Sequence, residues 1–110
     1  MNTRQKGART ALKARRYAEA HGWTYLAWHQ PPRWATEQPF DALLLRSGFK
    51  PVLLEVRSNR WGVDKPQTQQ LAALPGLCIR QIWRFRDGTN VPNIRQWDGH
   101  AWQPQEALNG

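Results

Sequence analysis

The sequence predicts a single α/β domain in which a mixed sheet is flanked by helices. Three observations carry that expectation. A proline-free, alanine-rich stretch opens the chain, with Gly22 placed to end it. Unbroken apolar runs follow, Leu43, Leu44 and Leu45 among them, which suits strands covered on both faces. A short polar helical stretch then stands between two such runs, giving the order α-β-β-β-α-β.

The first helix is expected over residues 4–21. Ala11, Ala14 and Ala18 fall on one face with Tyr17 beside them, and Gln5, Arg9, Lys13 and Arg16 gather on another. Residues 23–29, rich in rings, read as a strand. Pro31, Pro32 and Pro39 make residues 30–39 a loop. Strands follow at 40–46 and 51–57, joined by a turn at Ser47 and Gly48. After a loop at 58–64, residues 65–74 read as a short helix, with Asp64 as N-cap and Pro66 in the first turn. Pro75 and Gly76 stop it. Residues 77–86 form a further strand, and Asp98-Gly99 signals a last hairpin.

Composition bounds the function. The 110 residues make one domain, 1–110, and with seven Trp much of the core must come from large rings. Sixteen Lys and Arg against eight Asp and Glu leave a formal charge of +8, which points to a polyanionic partner. Most of that charge is arginine, suited to bidentate phosphate contact. Cys78 is the one cysteine, so neither an internal disulfide nor a cysteine zinc site forms, and a buried inert thiol is expected. No apolar segment suggests a leader or a membrane span, and a soluble, cytoplasmic protein is the expectation.

The chemistry concentrates between Pro39 and Arg57. Asp41 opens one strand and Glu55 lies near the end of the next, so an antiparallel hairpin would set them side by side. Two carboxylates there repel unless a cation sits between them, and oxygen ligands favour Mg²⁺ or Mn²⁺. Arg57 is two residues beyond Glu55 and shares its face, where a cation would stabilise charge growing on a phosphate. The plainer alternative makes Asp41 a turn cap and Glu55–Arg57 an ion pair. His21, His29 and His100 lack ligand spacing. Trp61 is a candidate for stacking on an unpaired base, with packing the alternative; packing is expected of Trp83, Trp97 and Trp102.

Asp41, the following turn and Glu55-Val56-Arg57 resemble the motif of the PD-(D/E)XK nuclease superfamily, an Asp followed on the next strand by Glu-x-Lys. The layout is most similar to archaeal-type Holliday junction resolvases and related small phage nucleases. The resemblance implies a restriction-endonuclease-like fold and an Mg²⁺-dependent endonuclease that cleaves branched DNA in recombination or repair. It implies a metal held by Asp41, Glu55 and the Val56 carbonyl, with Gln70, or Gln69, reaching in from the second helix. Arg4, Arg9, Lys13, Arg16 and Arg60 would hold the DNA backbone, and a two-fold homodimer would cut two strands. The motif's lysine is Arg57 here, which cannot serve as a general base at working pH. The first helix lacks the early acid of the resolvases, since its one acid, Glu19, comes late. A non-catalytic nucleic-acid-binding protein on a degenerate nuclease fold is the alternative.

Overall fold

In the computed structural model, residues 3–28 and 40–106 are described, with side chains of the first helix from residue 7 onward. Helix α1 (Thr3–Ala20) ends in a Schellman motif. The Trp23 amide donates to the Ala18 carbonyl at 3.0 Å and the Gly22 amide to Glu19 at 3.1 Å, with Gly22 at φ +85°. The expected strand start, Trp23, is thus spent on closing the helix, and its ring is buried beside Ala18 in the core.

Six strands make one mixed sheet in chain order: β1 (Thr24–Ala27), β2 (Ala42–Leu45), β3 (Val52–Ser58), β4 (Ile79–Phe85), β5 (Asn93–Trp97) and β6 (Trp102–Gln105). The pairs are antiparallel except β3–β4, which runs parallel because helix α2 (Pro66–Ala73) crosses between them. The α-β-β-β-α-β order is therefore incomplete, since β5 and β6 extend the same sheet. Asp64 is not the N-cap of α2; Lys65 is, without a side-chain capping bond. Arg80 closes the other end by donating to the Leu74 carbonyl.

Strand alternation gives the sheet two unlike faces. Val52, Leu54, Trp83, Phe85 and Ile94 meet Ala14 and Ala18 of α1 in the core cluster. Small alanines let the helix lie close to the sheet, and Tyr17 meets Trp83 edge-on at 5.3 Å. The buried face of α1 runs through Thr10 rather than Ala11, which is exposed; Thr10 is joined to Ser58 by a 2.6 Å hydroxyl contact. On the other face lie Leu53, Glu55 and Arg57 of β3 and Ile82 and Arg84 of β4, with Thr68 and Leu71 of α2 buried there. Cys78 is half-buried. No described helix is long and apolar enough to cross a membrane.

Candidate active site

Asp41 precedes β2 where three strands meet. Its amide donates to Leu54 (2.7 Å) and its carbonyl accepts from Trp28 (2.9 Å). The β2–β3 ladder ends at Ala42↔Leu54, with Asp41 just beyond it. The carboxylate turns toward β3, and Oδ2 accepts from the Val56 amide at 2.7 Å. It borders a cleft of about 500 Å³ shared with Thr10, Arg15, Tyr25, Trp28 and Ser58. Burial lifts the Asp41 pKa above its ordinary value, and the Val56 amide and the Arg57 charge offset this only in part. Burial, with Asp41 nearby, pushes the Tyr25 hydroxyl up to about 12.

Glu55 is 3% exposed on the α2 side of the sheet. Oε1 accepts from Arg57 Nη2, and Oε2 lies 2.9 Å from the Thr68 hydroxyl. That hydroxyl is also 2.9 Å from the Gly62 carbonyl, and its single proton favours the carboxylate. Burial raises the Glu55 pKa; Arg57 and Thr68 pull it down and Asp41 pushes it up, leaving it raised. Gly62, at φ +62°, allows the loop onto Arg57: an added Cβ would stand 3.3 Å from Arg57 Nε.

The donor set therefore consists of two carboxylates against the β3 backbone, Asp41 toward the cleft beside α1 and Glu55 toward α2. Among the described residues no group of three or more His, Cys, Asp or Glu gathers to hold a metal. Half-buried Asp41 and buried Glu55, both pushed toward their neutral forms, are oxygen donors of the kind that hard divalent cations take.

Of the other expected residues, Arg9, Arg16 and Arg60 are exposed and Lys13 is half-buried; the Arg4 side chain, His29 and the 30–39 loop lie outside the described residues. Glu19 is held 2.7 Å from Arg15 on the surface of α1. Gln69 and Gln70 are exposed, Gln69 reaching the Asp64 carbonyl at 3.4 Å. The α2 side chain that reaches Glu55 is Thr68. Its signal was available: it stands three residues before Leu71, the apolar residue that marks the inner face of α2.

Next to Arg57, across the β3–β4 ladder, is Arg84. Arg84 and Arg95 both stack on Trp61, at 4.7 and 4.2 Å from the ring centre. Burial, then Arg86 and Arg95, hold the Arg84 pKa below its ordinary value. Trp83 is core, as expected, while Trp61, Trp97 and Trp102 are half-buried on the arginine side. Comparison with protein-family models, curated proteins and solved structures gives no match.

Proposed function

We propose that this chain is a divalent-metal-dependent DNA endonuclease acting on branched DNA, built on a restriction-endonuclease-like frame. One observation carries the reading: half-buried Asp41 and buried Glu55 lie against the β3 backbone with their pKa values lifted, and each feels the charge of Arg57, which is paired to Glu55. The α1-β1-β2-β3-α2-β4 portion of the mixed sheet supports it, and so does the charge of +8. Asp41, Glu55 and the Val56 carbonyl would hold Mg²⁺ or Mn²⁺. When bound, such a cation lowers the pKa of a coordinated water and clamps the scissile phosphate.

The chain's own groups do the rest. Thr68 keeps Glu55 in one rotamer by its hydroxyl contact. Arg57 swings from Glu55 to the phosphate, where its fixed charge stabilises the pentavalent phosphorus without moving a proton. Arg9, Lys13 and Arg16 hold the backbone of the DNA, and two copies related by a two-fold axis match the symmetry of a four-way junction.

A second reading is a nucleic-acid-binding protein without catalysis. The observation in its favour is that both Glu55 oxygens already have protein partners, Arg57 and Thr68. Cleavage of four-way junction, duplex and single-stranded DNA with Mg²⁺ separates the two. Wild type is expected to cut the junction, and Asp41→Asn or Glu55→Gln to slow cutting roughly a hundredfold or more while DNA stays bound. Full activity in either variant removes the site. Binding by wild type without cleavage of any substrate selects the second reading.

A further inference from the structure

Between α2 and the β5–β6 hairpin lies a second cleft, of about 540 Å³, away from Asp41. Ala72 and Ala73 form one wall, Trp97 and Trp102 the other, and Arg95 and His100 stand at its rim. The volume is in the range of small-ligand pockets, about 300–1,000 Å³. Trp97 and Trp102 are register partners on adjacent strands, and their rings lie 5.3 Å apart at 54°. Both are only half-buried, so each offers area to a flat partner.

Arg95 is the charged residue of this cleft's lining. Its lining holds no Asp or Glu. The nearest acid along the chain, Asp98, is turned into the hairpin, where its Oδ1 accepts from the His100 and Ala101 amides at 2.7 and 2.8 Å. Arg95 follows on toward β4 through Trp61 to Arg84, and Arg84 leads across the ladder to Arg57. Among the described residues, the Nε atoms of Arg57 and Arg84 are buried and make no hydrogen bond. Flat rings beside clustered guanidinium groups form the pairing that grips a single nucleic-acid strand, base on ring and phosphate on arginine.

We propose that this cleft takes an unpaired nucleotide of a DNA strand, its base stacked on Trp97 or Trp102 and its phosphate against Arg95. This rests on the nucleic-acid reading above and names the substrate feature: DNA with a single-stranded portion next to the cut site. Strands are spaced about 4.8 Å apart, so β5 lies about 10 Å from Glu55 on β3, one or two nucleotides along a strand. The arginines 57, 84 and 95 would track the backbone between.

The test needs no metal and no cleavage. Binding of a fluorescently labelled 12-nucleotide single strand, and of its duplex, is measured by anisotropy in EDTA for wild type, Trp102→Ala and Trp102→Phe. Trp102→Ala is expected to weaken single-strand binding roughly tenfold and duplex binding by less than about twofold, while Trp102→Phe keeps most of the affinity because a ring remains. Independently of any variant, wild-type tryptophan emission should fall on adding the single strand and stay level with duplex. Unchanged single-strand affinity in Trp102→Ala overturns the proposal, as does wild-type emission that ignores the single strand. A variant that keeps DNA affinity but loses self-association in sedimentation puts a second copy of the chain in the cleft, which also overturns it. Wild type binding neither DNA removes the nucleic-acid reading itself; binding duplex alone removes the cleft assignment and leaves that reading standing.

Discussion

The two faces of the sheet are closed by different chemistry. Under α1, alanines, Trp83, Phe85 and Ile94 meet without a buried charge. Under α2, a carboxylate that is 3% exposed sits beside a guanidinium group and a hydroxyl, and further arginines continue across β4 and β5. Burial of rings favours the fold outright, at about 1.5–3 kcal/mol for a large apolar side chain. Burial of Glu55 gains little net stability even with Arg57 beside it, because both charges lose water. The first face holds the molecule together, and the second keeps charges in an environment that stability alone would not select.

That contrast is broken most directly at Trp83. Trp83→Ala removes the largest fully buried side chain from the α1 face and is expected to cost about 3–5 kcal/mol in denaturant unfolding. A loss below about 1 kcal/mol would mean that the α1 face is not the source of stability. On the other face, Thr68→Val preserves shape and deletes the donor to Glu55. A loss of about 1–3 kcal/mol is expected, with the Glu55 pKa driven higher still. An unchanged titration of Glu55, followed by carboxyl-carbon NMR, would show that the Thr68 contact is not made in solution.

The smallest effect sharpens the comparison through pH. Asp41 and Glu55 both titrate above their ordinary values, so across that interval the folded chain holds more protons than the unfolded one. Their contribution to stability is complete below the unfolded-chain values and is lost as pH rises through the folded ones. Wild type should therefore lose melting temperature, relative to the Asp41→Asn/Glu55→Gln double variant, as pH climbs from acid to neutral. Added Mg²⁺ should restore part of that loss in wild type only. Parallel melting profiles for the two chains would place both carboxylates in ordinary surroundings.

Much of this frame was legible in local sequence. Alanine spacing and Gly22 mark α1, the leucine run marks β2, and Glu55 and Arg57 share a face because strand periodicity is two. What escaped depends on pairings between distant segments. Trp61 meets Arg84 and Arg95 only because β4 and β5 adopt the register Ile82↔Arg95. Asp64 has the right chemistry for an N-cap, yet the helix begins one residue later, at a point set by how the 59–65 loop folds over Arg57. Thr68, by contrast, was legible from its spacing to Leu71 on the inner face of α2, a face that exposed Gln69 and Gln70 do not share.

Strand order along the sheet equals strand order along the chain, and only α2 makes a crossover. Each new strand joins the one just laid down, so most loops that must close during folding are short and cost little entropy. The same arrangement leaves growth open at either edge: a hairpin added beyond β4 threads through nothing and disturbs no earlier pairing. The β5–β6 unit with its tryptophan pair can thus vary as a separate cassette while Asp41, just before β2, and Glu55, on β3, keep their places.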